Sequence, residues 1–98
     1  KKRNQSIETP EEARSVAVRR FHRQMLEKGL ESIDSLSTAD RNVQGLTLAL
    51  NSEQYLEIKK EISSFLKRLN TKYSGGRSGS NVYQLNSLLF PLLRSDAE

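Results

Sequence analysis

Polar residues fill positions 1–8, and the first organised pattern begins at Thr9. Thr9-Pro10-Glu11-Glu12 has the form of a helix start. Thr9 can cap, Pro10 sits where its missing N–H costs nothing, and Glu12 can return a bond to the cap. A first helix is expected over about 10–36. At 100° per residue, Val18, His22, Met25, Gly29, Ile33 and Leu36 fall in one stripe about 80° wide, flanked by Phe21 and Leu26. Arg19, Arg20 and Arg23 lie on the other side. Ser37-Thr38-Ala39-Asp40 ends the helix, and 43–50 (VQGLTLAL) follows. There Leu46, Leu48 and Leu50 alternate with Thr47 and Ala49, a period of two that reads as a strand. Asn51 then looks like the cap of a second helix, with Gln54 completing a capping box and Leu50 and Tyr55 placed as a hydrophobic staple. Tyr55, Ile58, Ile62, Phe65 and Leu69 are spaced 3, 4, 3, 4 and form one seam, widened by Leu66, in a helix running to about Tyr73. A Gly/Ser-rich loop, 74–80, stops that helix through a glycine cap. The last apolar segment, 82–90, is read as a second strand ended by Pro91.

Helix, strand, helix, strand is the order of an α+β (or small α/β) domain, with a two-stranded sheet packed on the helices. A crossover helix of about 20 residues spans roughly 30 Å, enough to return the chain for a parallel pair. The loop after Tyr73 also permits an antiparallel one. Two strands alone make a poor sheet, and their edges need cover. Completion by dimerisation, or by another part of the same chain, is therefore expected. Residues 1–8 read as a linker or flexible tail, 9–93 as a single domain, and 94–98 as a second flexible tail.

Composition sharpens this picture. At 98 residues one domain fits and little room is left for two. Apolar residues at 35% and charged residues at 29% suit a small folded domain rather than a disordered tail. No run approaches the roughly 18–20 apolar residues of a membrane span, and no signal-peptide pattern opens the chain. The net charge of +4 rests largely on Lys1, Lys2 and Arg3. Without them, 13 positive residues face 12 negative ones, so the body is nearly neutral. A DNA-binding domain usually carries its basic face in the folded part. The chain begins without Met, which reads either as processing or, in preference, as a piece of a longer protein.

Candidate chemistry is sparse. There is no cysteine, so disulfides and thiol nucleophiles are excluded, and one histidine makes a protein-only zinc site unexpected. No catalytic residue, cofactor site or metal site is assigned. His22 is read as a packed histidine on an apolar face rather than a general base. The GGRSGS loop follows a helix and lacks the Lys-Ser/Thr ending of a phosphate loop, so it reads as a linker. Arg19, Arg20 and Arg23 form the one compact basic patch in the body and are the candidates for phosphate contact. Glu12, Glu27 and Glu31 dilute that patch, and no aromatic side chain interleaves with it to stack on bases. The Tyr and Phe residues fall mainly in the expected core seams.

Three stretches together are familiar: RRFHRQMLEKGLESIDSL, DRNVQGLTLALNSEQYLEIKKEISSFLKRL and NVYQLNSLLFPLL. In order and spacing they resemble the C-terminal domain of unknown function found in helix-turn-helix transcriptional regulators of predatory and fibre-degrading bacteria. The resemblance covers about residues 15–93. It implies a cytoplasmic, non-catalytic regulatory or oligomerisation domain whose DNA-reading helix-turn-helix lies outside this sequence. The implied partners are a second copy or the N-terminal part of the same chain, with no membrane involved. No catalytic residue comes with the resemblance. The matches at His22, Arg41, Thr47, Tyr83, Asn86, Phe90 and Pro91 imply roles in fold or interface. Gly29 stands where the family tends to carry a small alanine-like residue, and Leu88 where it often carries a polar one. An extra leucine there would enlarge an apolar patch, so His22, Tyr83, Leu88 and Phe90 are the expected interface or ligand contacts. Two alternative functions follow from the same residues: a small-molecule sensor with its ligand near His22, and direct nucleic-acid binding through Arg19, Arg20 and Arg23.

Overall fold

A computed structural model of the chain describes residues 9–75 and 81–95. The described residues form two helices, α1 (Pro10–Ser35) and α2 (Ser52–Tyr73). The chain divides into two units, Lys1–Val43 and Gln44–Glu98, each carrying one helix. The readings of 1–8 as a linker, with its three basic residues, of 76–80 as a linker loop and of 96–98 as a tail lie outside the described residues.

Both helices start as the sequence dictates. In the first unit the Thr9 N–H donates to Glu12 Oε1 at 2.9 Å, and the Glu12 N–H donates to Thr9 Oγ1 at 3.0 Å. Pro10 occupies the first turn, and Glu11 and Glu12 place negative charge at the positive end of the helix dipole. In the second unit the Asn51 N–H donates to Gln54 Oε1 at 3.1 Å, and the Gln54 N–H donates to Asn51 Oδ1 at 2.8 Å. Each box satisfies two backbone donors that the helix itself leaves unpaired. Asn51→Ala is expected to destabilise α2 by about 1 kcal/mol, read as a lower midpoint in urea unfolding; an unchanged midpoint would show that the cap contributes nothing.

The helix ends differ in kind. Helix α1 stops in an extended Leu36, whose N–H donates to the Ser32 carbonyl at 3.1 Å. A tight turn follows: the Asp40 N–H donates to the Ser37 carbonyl at 3.0 Å, and Ser37 Oγ donates to Asp40 Oδ2 at 3.2 Å. Arg41 Nε reaches back and donates to the Leu36 carbonyl at 3.0 Å. A cation thus meets a carbonyl at the negative end of the helix, which carries no basic residue in its own last turn. Helix α2 ends at Ser74, still in right-handed backbone, with its N–H on the Asn70 carbonyl at 2.8 Å. Gly75 follows without the left-handed conformation of a glycine cap. The expected glycine stop is therefore replaced by an ordinary last turn, with Lys72 as the basic residue beside it.

The expected α+β fold is not what forms. Among the described residues there is no strand and no sheet, so the architecture is all-α. Neither 43–50 nor 82–90 is a strand. The physical reason lies in what alternation specifies. A period of two fixes which face a strand would bury, but a strand persists only when a neighbour supplies the other half of its hydrogen bonds. Two short segments without further strands are a marginal pair. The leucines behave accordingly: Leu46 is 86% exposed, whereas Leu50, next to the α2 cap, is half-buried.

No described residue is buried. The half-buried positions of α1 are Met25, Leu26, Gly29 and Ser32, and those of α2 are Ile58, Ile62, Leu66 and Leu69. Each set runs at helical spacing along one side of its helix.

Candidate interaction surfaces

The exposed apolar side chains of the described residues lie mainly on the two amphipathic helices and along the irregular segment 81–95. On α1 the stripe expected from the sequence is present, but it is mostly open. Met25 and Gly29 are half-buried, while Val18, His22, Ile33 and Leu36 are exposed. His22 is therefore not the packed histidine the pattern suggested. Its ring meets Phe21 edge-on, with centroids 5.8 Å apart and planes 65° apart. That contact is the favourable T-shaped arrangement of two aromatic rings and fixes the imidazole beside an exposed apolar side chain. Ser32 Oγ donates to the Gly29 carbonyl at 2.6 Å, so this hydroxyl is turned inward onto the helix backbone.

Arg19, Arg20 and Arg23 are all exposed on α1. Residues 19 and 23 stand one turn apart, and 20 is displaced about 100° around the axis. Glu12 lies on the same row as Arg19 and Arg23, which confirms that carboxylate shares this side of the helix.

Helix α2 presents the more ordered surface. Tyr55, Ile58, Ile62, Phe65 and Leu69 run along one seam. Its middle is half-buried, but Phe65 is 46% exposed and Tyr73, at the end of the helix, 62%. Cations sit over three rings of this helix. Lys59 Nζ is 5.3 Å from the Tyr55 ring centre, the Arg68 guanidinium 5.6 Å from Phe65 and Lys72 Nζ 5.4 Å from Tyr73. Each contact is worth about 0.5–1 kcal/mol at an exposed site. It also lays an aliphatic stem along apolar surface. Beside Phe65 a shallow concavity is lined by Lys60, Glu61, Ser64, Phe65 and Arg68.

The remaining expected contacts stand in the second unit. Tyr83 is 81% exposed, Leu88 61% and Phe90 56%, all in the irregular segment 81–95. Gln84 Nε2 donates to Asn86 Oδ1 at 3.1 Å there, and Asn86 is half-buried. The expected set is thus divided, with His22 and the three arginines in the first unit and Tyr83, Leu88 and Phe90 in the second. The seam of α2 was legible as core but not as surface. Glu61 and Arg68 border this apolar row, whose 3, 4 spacing is that of a coiled-coil face.

Among the described residues no group of three or more His, Asp or Glu side chains comes together to hold a metal ion. No described helix is long and apolar enough to cross a membrane. A family model described as Domain of unknown function (DUF4423) matches residues 1–92. No curated protein and no solved structure matches the chain.

Proposed function

The chain belongs to the DUF4423 family of domains of unknown function, and from that premise we propose that it is a non-catalytic module that works by associating with a second copy of itself. One observation carries this reading. No described residue is buried, while large apolar side chains stand open on both helices and along 81–95. A chain of this size ordinarily buries about 60–65% of the surface its unfolded form exposes. Monomeric proteins rarely leave extended apolar patches open, and larger ones mark interaction sites. Apolar surface is the main store of association free energy, at about 25 cal/mol per Å² removed from water.

In this reading the module sets the oligomeric state of a bacterial transcriptional regulator in the cytoplasm. The DNA-reading part lies outside residues 1–98, and its operator half-sites would be spaced by the dimer. The order and spacing of the three familiar stretches support that context. Glu12, Glu27 and Glu31 on α1 support it too, because they weaken any field that Arg19, Arg20 and Arg23 project toward phosphates.

The test is the solution mass of chain 1–98 by multi-angle light scattering across a hundredfold range of concentration. The expected mass rises from 11.2 kDa to twice that value. A mass of one chain at every concentration would leave the regulatory context standing and remove self-association as its mechanism.

A further inference from the structure

We propose that the second copy docks on α2, with the two α2 helices antiparallel and Glu61 of each paired to Arg68 of the other. This rests on the self-association reading above and specifies its geometry. The occupant follows from the charges that border the seam. Written as a heptad, Tyr55, Ile62 and Leu69 take one core position and Ile58, Phe65 and Lys72 the other. Gln54, Glu61 and Arg68 line one flank; Lys59, Leu66 and Tyr73 line the other. The outward positions are polar apart from Leu56: Glu57, Lys60, Ser63, Ser64, Lys67, Asn70 and Thr71.

Strand direction in such a pair is decided by which flank residues meet. In a parallel pair each Lys72 lies beside the partner's Lys72, two like charges in one core layer. Glu61 then faces the partner's Leu66, and no opposite charges meet across the seam. In an antiparallel pair the two kinds of core position alternate. Ile62 packs on the partner's Phe65 and Ile58 on the partner's Leu69. Lys72 lays its stem and ammonium against the partner's Tyr55, as Lys59 already does within the chain. The flanks then place Glu61 beside the partner's Arg68, and two-fold symmetry repeats the pair. Glu61 and Arg68 are both exposed and both line the concavity beside Phe65, so that concavity is where the partner's flank seats. The face is complementary to itself in one direction only, which is what an isologous interface requires.

Charge reversal tests this with chain 1–98. Glu61→Arg sets Arg against Arg twice in the antiparallel dimer, and Arg68→Glu sets Glu against Glu twice. Each is expected to weaken dimerisation about tenfold or more. An equimolar mixture of the two variants restores both pairs and is expected to form a heterodimer as tight as the unaltered dimer. Circular dichroism confirms that the variants stay helical; the neutral changes Glu61→Gln and Arg68→Gln are expected to shift affinity in the same direction by a smaller factor. A dimer indifferent to every variant would overturn the α2 geometry and leave self-association in place. Weakened single variants whose mixture does not recover would overturn the antiparallel pairing. An unaltered chain that stays monomeric would overturn both the geometry and the reading beneath it.

Discussion

Ile62→Asp is expected to convert the chain to a monomer at concentrations where the unaltered chain is dimeric. Position 62 lies at the centre of the α2 seam, between Ile58 and Phe65, and is half-buried in the single chain. In the antiparallel pair it would be covered on all sides. A carboxylate there must shed its water without gaining a cation, and the effective cost of an unpaired buried ion is several kcal/mol. Two-fold symmetry imposes that cost twice. Loss of the isoleucine removes a further apolar contribution of roughly 1.5–3 kcal/mol. Together these exceed what a surface-sized interface supplies, so affinity falls at least about a hundredfold. The intrinsic helix propensities of Ile and Asp are close, so far-ultraviolet circular dichroism should stay near that of the unaltered chain. Thr71→Asp, on the outward face, is the control and is expected to leave the dimer intact. A dimeric Ile62→Asp would place the interface away from the α2 seam.

Ser63→Pro is expected to break α2 and take association with it. Residue 63 points outward, so the change touches no seam side chain. It acts on the backbone: proline removes the N–H that bonds to the Lys59 carbonyl, and its ring clashes with that same carbonyl, at about 3 kcal/mol or more. A helix with no buried residue has little tertiary packing to absorb such a loss. Helix α2 holds 22 residues and α1 holds 26, so melting α2 removes a little under half of the helical signal at 222 nm. Ser63→Ala, a better helix former, is expected to leave the signal unchanged or slightly higher. An undiminished signal in Ser63→Pro would mean that α2 is held by packing stronger than its exposure indicates.

What the residues reveal is local chemistry. Both capping boxes, the proline at the start of α1 and the seam spacing of α2 were legible, because each depends on side chains within four residues of one another. The two strands were misread for the opposite reason. Alternation at Leu46, Leu48 and Leu50 is a local pattern, but pairing is a property of two segments, and none of the described residues supplies the second. The exposed apolar surface was half legible. Tyr55 and Phe65 read as core because apolar residues at helical spacing usually face one, yet both are exposed. That pattern gives the face and not what covers it. In the proposed pairing, Glu61 and Arg68 beside the seam would supply what the spacing leaves out, as flanking charges do in coiled coils. The segment 82–90, with Tyr83, Leu88 and Phe90, was read correctly as apolar and incorrectly as a strand.

The dependence of unfolding on chain concentration tests self-association most directly. If a second copy binds the folded chain and not the unfolded one, association adds to the chain's stability, and the denaturant midpoint must rise with concentration. Between chain concentrations a hundredfold apart, urea unfolding followed at 222 nm is expected to show a stability difference of about 2.7 kcal/mol, the free energy of that dilution. Midpoints that coincide across the same range would show a chain that folds alone, and would contradict self-association as the way this module works.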